Sequence, residues 1–308
     1  MSFPQIIQLS RHEPPGRSAL LASIAVLSAA MTTPASAFEL EPNEFVTAPA
    51  GTTAFLGYFI YGDHESYHPV GGPTVDRNTH FDDFVSIARV AHYFDAGGTE
   101  ALVEILQPFG AYANAEIGGT KFSDSGGAGD TTLAAAIWPI NDPAQRTYLG
   151  IAVYLTLPDG AYDRSKTINF GGNRLVYDPE LALHKGFGEQ WSVDLTGDVI
   201  AYGDNREAGL GGRQTLSQDP TPQLQGFVNY AWSNGVTTSL GYEGEFGGRQ
   251  TLDGAGNGAK TAFQEIRFVN SYFLSPSFQI LGEINHQFRA EGGFKQDVGA
   301  TMRALYLF

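Results

Sequence analysis

Residues 277–288 read SFQILGEINHQF, and apolar and polar side chains alternate along most of this stretch. One face of the extended chain carries Phe278, Ile280, Ile284 and Phe288, and the other carries Gln279, Glu283, Asn285 and Gln287. Alternation with a period of two indicates a β-strand with one apolar and one polar face. An ordinary strand has about five or six residues, whereas a tilted strand needs about nine to eleven to cross a bilayer. The length of this stretch therefore favours a transmembrane strand.

Eleven further stretches of similar length are bounded by glycine, proline, asparagine or aspartate, and several alternate as cleanly. The twelve predicted strands are 51–62, 82–94, 100–112, 130–139, 146–157, 174–185, 190–203, 221–232, 236–247, 261–273, 277–288 and 295–308. We predict an all-β fold, a transmembrane antiparallel up-and-down β-barrel of about 12 strands. A secreted β-sandwich is the alternative, and the strand length disfavours it.

The predicted connections alternate between short and long. Those after even-numbered strands are short, such as 186–189 and 233–235, whereas those after odd-numbered strands are mostly long and rich in glycine, such as 63–81 and 204–220. Short turns on one rim and long loops on the other are typical of outer-membrane barrels, whose termini lie on the periplasmic, short-turn side.

The last predicted strand alternates up to the final residue of the sequence. Tyr306 and Phe308 share its more apolar face. This strand resembles the C-terminal strand of bacterial outer-membrane proteins, which the barrel-assembly machinery reads. The resemblance implies that Tyr306 and Phe308 form the assembly signal and that this machinery is a partner.

The composition excludes several other classes of protein. Glycine accounts for 38 of 308 residues, about 12% against a usual ~7%, which disfavours a helix-rich chain. The net charge of −15 sets aside nucleic-acid binding. The absence of cysteine removes thiol catalysis, disulfides and cysteine-ligated metal centres.

The first forty residues predict export from the cytoplasm. Arg11 and Arg17 precede the apolar run 19–31, ALLASIAVLSAAM, which is too short to span a bilayer. The small residues Ala35-Ser36-Ala37 follow it, as in a signal-peptidase site. We predict a signal peptide over 1–37, one barrel domain over 38–308, and location in the bacterial outer membrane.

Apolar faces that point toward lipid leave ten charged residues pointing into the barrel lumen. These predicted lumen-lining residues are Arg89, Glu104, Asp194, Asp198, Glu243, Glu245, Glu265, Arg267, Glu283 and Arg303. A basic residue that faces hydrocarbon near the midplane costs about 2 to 4 kcal/mol, which favours the inward placement. A turn centred on Ser275 sets Arg267 opposite Glu283 as an internal ion pair.

Two interpretations of the lumen charges stay open. They either fill and rigidify a narrow barrel, or they form a constriction that selects permeating molecules by charge and shape. The excess of carboxylates disfavours anions and predicts a preference for cations or neutral molecules.

One loop contains a group of metal-ligating residue types. His64 and His68 lie near Asp63, His80 and Asp82, although the spacing of the two histidines suits a helix better than an extended loop. A solvated polar loop is the simpler interpretation, so we predict no metal site and no cofactor.

A barrel enzyme such as a phospholipase would need a histidine beside a nucleophilic serine. His92, His184 and His286 lie near predicted strands without an evident nucleophile. We predict no catalytic residue.

Several short motifs occur in a specific order along the chain. They are the stretch 49–58, PAGTTAFLGY, then Gly129-Asp130, the stretch 157–163, LPDGAYD, the stretch 169–174, NFGGNR, and Pro179. In this order they resemble the outer-membrane MetA-pathway of phenol degradation transporter family, a branch similar to the FadL-type hydrophobic-compound channels. The resemblance covers about 45–308.

This resemblance implies a monomeric barrel for the uptake of small aromatic or hydrophobic compounds, in contact with outer-membrane lipid and without a catalytic residue. The chain departs from the family pattern at Asp159 and Leu175. Residues 38–50, which precede the first strand, form a much shorter segment than the plug of FadL-type channels. We therefore expect no plug of that kind.

The leading functional hypothesis is an outer-membrane channel for diffusion of small hydrophobic, aromatic compounds. Two alternatives stay open. A polar-solute porin with a cation preference would use the charged lumen, and a non-transporting structural barrel would use the long loops.

Cleavage after Ala37 predicts that the chain isolated from outer membranes begins at Phe38. The substitution Ala37→Arg should leave the precursor uncut, because the cleavage site requires small side chains. Intact-mass spectrometry checks both outcomes, and a wild-type protein that retains residues 1–37 in the outer membrane would contradict the prediction.

Overall fold

The computed structural model describes residues 39–209 and 211–308. The predicted signal peptide, residues 1–37, lies outside the described residues. No helix in the described part of the chain has the length and apolar character needed to cross a membrane.

The described residues form eighteen strands, numbered in chain order. They are β1 (Thr53–His68), β2 (His80–Asp95), β3 (Glu100–Ile117), β4 (Thr120–Lys121), β5 (Ser125–Ala128), β6 (Thr132–Asp142), β7 (Thr147–Thr156), β8 (Val176–Phe187), β9 (Trp191–Tyr202), β10 (Asn205–Ala208), β11 (Gln214–Gln218), β12 (Thr221–Ala231), β13 (Val236–Gly247), β14 (Gln250–Leu252), β15 (Ala255–Gly256), β16 (Thr261–Ser275), β17 (Phe278–Glu291) and β18 (Gly293–Leu307).

Twelve long strands close into an antiparallel barrel. Each long strand pairs with the next long strand along the chain, and β1 closes the ring by pairing with β18. Each of the twelve predicted stretches overlaps one of these long strands. The predicted all-β, twelve-stranded barrel is therefore confirmed.

The six short strands lie in the long connections at one rim of the barrel. Strands β4 and β5 pair with β3, whereas β10, β11, β14 and β15 form a separate four-stranded sheet. This rim corresponds to the predicted external side, and the opposite rim carries the short turns.

The two faces of the barrel strands differ in the way that the alternation predicts. On β13, Leu240 is 63% exposed on the outer face, whereas its neighbour Ser239 is buried. Phe59 and Met302 on other strands are similarly exposed. A belt of exposed apolar side chains around a closed barrel is the surface that a bilayer covers.

The turn between β12 and β13 shows how the short connections keep this alternation. The backbone N–H of Trp232 donates to the carbonyl of Val236 over 2.8 Å, which closes a three-residue turn. Gly235 has φ +85°, a left-handed conformation that favours glycine. Trp232 and Val236 thus stay on the same face of the barrel.

The register between β16 and β17 differs from the prediction. Arg267 pairs with Asn285 and Val269 pairs with Glu283, because the turn lies beyond Ser275, which itself pairs with Phe278. The predicted register, with Arg267 directly opposite Glu283, is wrong by two residues. The ion pair still forms from diagonal neighbours, with Arg267 Nε 2.8 Å from Glu283 Oε1.

A charge on the lipid-facing surface should destabilise the barrel more, the closer its position lies to the middle of the bilayer. Leu240→Arg near the middle of β13 should lower the free energy of unfolding by about 2 to 4 kcal/mol, because the guanidinium would face hydrocarbon. Val236→Arg, at the rim on the same face, should cost about 0 to 1 kcal/mol. Urea unfolding in lipid vesicles followed by tryptophan fluorescence checks this, and equal losses for the two variants would argue against the lipid-facing assignment.

Candidate functional site

The segment that precedes β1 lies inside the barrel. We name residues 39–50 the strap; its Leu40 and Phe45 side chains are buried. The backbone N–H of Leu40 donates to Gln225 Oε1 over 2.8 Å, and that of Asn43 donates to Asp194 Oδ2 over 3.0 Å. Both acceptors belong to barrel strands, so the strap crosses the lumen.

The strap is a short segment and not a plug of the FadL type, yet it enters the lumen. A barrel of twelve strands is narrow compared with the open porins of 16 to 18 strands. Residues 41–46 form turns, in which the backbone N–H of Glu44 donates to the Glu41 carbonyl and that of Val46 to the Asn43 carbonyl, each over 3.1 Å. Even so short a segment therefore contacts several strands at once.

Three strap glutamates bind three arginines of the barrel wall. Glu44 Oε1 lies 2.7 Å from Arg89 Nη1, and Glu39 Oε2 lies 3.3 Å from Arg267 Nη2. Glu41 forms an ion pair with Arg303.

The arginines also bind carboxylates of the barrel wall. Arg89 Nε donates to Glu104 Oε2 over 2.7 Å. Arg267 donates to both Glu283 oxygens, over 2.8 and 3.0 Å, and to Glu243 Oε2 over 3.1 Å. Removing one partner from a buried pair leaves an uncompensated charge, which costs about 3 to 5 kcal/mol. The strap is therefore fastened to the wall by charge.

An apolar contact anchors the strap at the short-turn end. The Phe45 and Trp138 rings lie 6.0 Å apart, and Trp138 Nε1 donates to the Phe45 carbonyl over 3.0 Å. A Cβ atom at Gly150 would lie 2.4 Å from the Phe45 ring. Glycine at position 150 thus makes room for the anchor.

All ten predicted lumen-lining residues are buried. They are Arg89, Glu104, Asp194, Asp198, Glu243, Glu245, Glu265, Arg267, Glu283 and Arg303. The three arginines bind the strap directly, and Asp194 accepts from the strap at Asn43. Asp194 also lies 2.6 Å from His184. It stays a prediction that these side chains line a path for permeating molecules.

The strap glutamates are not among the predicted lumen residues. Glu39, Glu41 and Glu44 fall within the seven residues that directly follow the predicted cleavage site. Three carboxylates so close to the first strand, together with three inward-facing arginines of the barrel, form a charge pattern that could have indicated the strap.

Three carboxylates and one amide form a row across adjacent strands. Asp198 pairs with Glu180 on one side and Gln223 on the other, and Gln223 pairs with Glu245. We name these four residues the acidic row, and all four are buried. Among the described residues, no hydrogen-bond partner reaches Glu180 Oε1, either Asp198 oxygen, Gln223 Oε1 or Glu245 Oε2.

A cavity of about 190 Å³ lies in the external half of the barrel, next to the inner end of the strap. We name it the outer cavity. Six carboxylate residues line it, namely Glu39, Asp83, Glu243, Glu245, Glu265 and Glu291. We name its aromatic lining residues the aromatic wall; they are Tyr61, His64, Phe81, Tyr112, Phe263 and Phe294.

The motif residues of the long loops fold the loops over the barrel mouth. Asp130 accepts hydrogen bonds of 2.7 Å from the backbone N–H groups of Gly160 and Gly172. The Phe170 ring lies 4.9 Å from the Tyr112 ring of β3, on the cavity wall. The glycine and aspartate motifs therefore hold Phe170 at the mouth.

Hydrogen bonds and burial change the acidity of these loop residues. The backbone N–H of Thr131 is the largest influence on Asp159 and lowers the pKa of its carboxyl below the ordinary value. Burial raises the pKa of Asp130. Burial also lowers the pKa of Arg174 to about 10.

The histidines and aspartates of the first long loop separate into two groups. Asp63, His80 and Asp82 come together, with His80 Nε2 3.0 Å from Asp82 and Nδ1 3.7 Å from Asp63. The imidazole thus lies between two carboxylates that face each other across β1 and β2. His64 instead lies inside the barrel, 3.2 Å from the Phe81 carbonyl.

His92, His184 and His286 have separate contacts. His92 bonds to Thr53, His184 to Asp194 and His286 to the carbonyl of Asp297. The bonds of His92 and His286 join neighbouring strands. The bond of His184 holds Asp194, which also accepts from the strap.

Tyr306 and Phe308 lie on the outer face at the short-turn rim. They are 49% and 68% exposed. Their use as an assembly signal stays a prediction.

Comparisons with known proteins agree with this architecture. The sequence profile of the MetA-pathway of phenol degradation family matches residues 66–303. An outer membrane channel from Pseudomonas putida F1 is similar in structure, with a TM-score of 0.82 and 27% identity over 88% of this chain and 100% of that one. The β domain of the Bordetella autotransporter Brka shares the fold, with a TM-score of 0.50 and 11% identity over 83% of this chain and 98% of that one. No curated protein sequence matches the chain.

Gly150→Ala should loosen the strap, because the added methyl group would overlap the Phe45 ring. Hydrogen–deuterium exchange should become faster for the backbone amides of residues 43–50. Gly197→Ala is the matched control, since nothing lies within 4 Å of a Cβ atom there. Unchanged exchange in the Gly150 variant would show that Phe45 is not an anchor.

Proposed function

The chain belongs to the MetA-pathway of phenol degradation family, and from this membership and the geometry of its lumen we propose that it is a channel for diffusion of small hydrophobic, aromatic compounds. Its fold is that of a bacterial outer-membrane barrel. The observation that carries the proposal is the aromatic wall of the outer cavity, directly above a lumen closed by the strap.

The aromatic wall offers a permeating ring several surfaces at the barrel mouth. Phe81 and Phe294 stack with centroids 5.1 Å apart and an interplanar angle of 16°. Tyr112 lies 5.5 Å from Phe81, and Tyr67 lies 5.5 Å from Phe294. Aromatic pairs of this kind favour contact with a further ring. A monoaromatic compound would leave water for this cavity.

Passage beyond the outer cavity requires the strap to move. The strap lies in the lumen between the outer cavity and the short-turn rim, and side-chain contacts rather than strand pairing connect it to the wall. A segment that is fastened only at discrete points can be displaced without opening the barrel. We propose that displacement of the strap opens the path.

The similarity to the Pseudomonas putida channel supports a channel role. Diffusion through such a channel needs no catalytic residue, metal or cofactor, and we assign none. We propose that residues 1–37 are removed as a signal peptide, that the barrel-assembly machinery inserts the domain 38–308, and that the barrel works as a monomer. We assign the protein no enzymatic activity.

A polar-solute porin with a cation preference is the second candidate. The acidic row favours it, because buried carboxylate oxygens without hydrogen-bond partners attract cations into the lumen. This candidate predicts steady ionic conductance, whereas the hydrophobic channel predicts transport of neutral rings with little conductance while the strap is in place.

Uptake of radiolabelled toluene and related monoaromatic compounds tests the proposal. A strain that lacks the protein should take them up more slowly, and re-expression should restore the rate. Unchanged uptake across the whole panel would contradict the proposal.

The acidic row should control the charge selectivity of any ionic current. Asp198→Asn should shift the reversal potential in a KCl gradient toward zero, because it removes a carboxylate without a hydrogen-bond partner from the lumen. Glu189→Gln, in an exposed short turn, is the control and should leave the potential unchanged. Planar-bilayer recordings check this, and a wild-type channel selective for anions would contradict the prediction.

A further inference from the structure

The outer cavity is lined by six carboxylate residues and by one basic residue that could pair with them. Carboxylates reach it from four barrel strands and from the strap. Lys260 is the one lysine or arginine among the described residues that line it, and its Nζ lies 2.7 Å from Glu291. Arg267 lies below the cavity and is held by Glu283, Glu243 and Glu39.

Glu245 is the carboxylate that these contacts leave without a counter-charge. It lines the cavity and is only 2% exposed. No hydrogen bond from the described residues reaches its Oε2. A buried carboxylate without a partner is costly, and a cation beside it would remove that cost.

A second observation comes from a neutral side chain. Gln223 pairs in register with Glu245, and its Nε2 donates to Glu243 Oε1 over 2.9 Å. This hydrogen bond fixes the orientation of the amide. Its Oε1 is buried and finds no donor among the described residues. Gln223 is not among the residues that line the cavity, so its oxygen shows that this part of the barrel interior is short of donors. The missing partner of Glu245 Oε2, which does face the cavity lining, is a donor or a cation.

The spacing of the carboxylates disfavours a bare metal ion as this partner. Within the described residues, one group of three histidine, aspartate or glutamate side chains places its ligand atoms within 4.8 Å of one another, and it is Asp63, His80 and Asp82. The cavity carboxylates are more widely spaced than that. A larger cation that carries several N–H donors fits them better.

The opposite wall suits an apolar body attached to that cation. Phe81, Phe294 and Tyr112 line the cavity across from β13. Aromatic faces attract cations as well as rings, with cations bound within about 6 Å of the ring centre. A dry cavity of about 150 Å³ is large enough to bind benzene. The outer cavity, at about 190 Å³, therefore accommodates one ring with a short substituent.

We propose that the outer cavity is a binding site for a small organic cation in which an ammonium group is joined to an aromatic ring. Glu245, with Glu243 and Asp83, receives the ammonium group, and the ring packs on Phe81 and Phe294. This proposal rests on the proposed channel function, because the site lies where the proposed path begins. Binding to the site can be measured without measuring transport.

Isothermal titration calorimetry of the full-length protein in detergent micelles at pH 7 tests this assignment. Benzylammonium is the probe, and benzyl alcohol and benzoate are its neutral and anionic counterparts. Benzylammonium should bind about tenfold or more tightly than benzyl alcohol, a difference of about 1.4 kcal/mol. Benzoate should not bind.

Variants identify the carboxylates that receive the ammonium group. Glu245→Gln and Asp83→Asn should each weaken benzylammonium binding about tenfold and leave benzyl alcohol binding unchanged. They lie on different strands, so a folding defect in one leaves the other as a test. Glu65→Gln is the matched control, because this exposed glutamate lies on the outer face of β1. Heat-modifiable migration on a gel checks that each barrel is folded.

Three results would overturn the proposal. They are equal affinity for benzylammonium and benzyl alcohol, binding that neither cavity variant weakens, and binding of calcium alone in place of the organic cation. Toluene uptake into vesicles separates this site from the channel. Uptake without benzylammonium binding would refute the site alone, whereas binding without any aromatic uptake would refute the channel alone.

Discussion

The ion pairs between inward arginines and carboxylates hold the interior of this barrel together. The bilayer forces polar side chains inward, because a charge that faces hydrocarbon costs about 2 to 4 kcal/mol. Once inside, Arg89, Arg267 and Arg303 need counter-charges in a space with little water. Wall carboxylates supply some of them, and the strap glutamates supply the rest. This pairing holds the strap in the lumen.

The charges inside the barrel are unevenly distributed. On the side of β1, β2, β16 and β18, the arginines and the strap neutralise one another. On the side of β8, β9 and β13, the acidic row has no such partner among the described residues. The first side holds the strap, and the second leaves carboxylate oxygens without hydrogen-bond partners among the described residues. The aromatic wall lies at the mouth, beside this second group.

The sequence predicted the strands and their faces because both are local properties. Period-two alternation and strand length depend only on neighbours in the chain, as in 277–288. The register of Arg267 was missed because it depends on where the turn closes, and Ser275 pairs with Phe278 instead of lying at the centre of the turn. The strap was missed because Glu41 and Arg303 are far apart in sequence, and no local pattern indicates their contact. The structural use of Asp130 was missed for the same reason, since Gly160 and Gly172 lie in another loop.

The central claim is that the strap closes the lumen, and single-channel conductance of a chain without residues 39–46 tests it most directly. The arginines that lose their partners would then face water in an open lumen, so the barrel can stay folded. In planar bilayers the shortened chain should show a steady conductance, whereas the full-length chain should stay near the closed level. If both chains conduct equally, the strap does not close the channel.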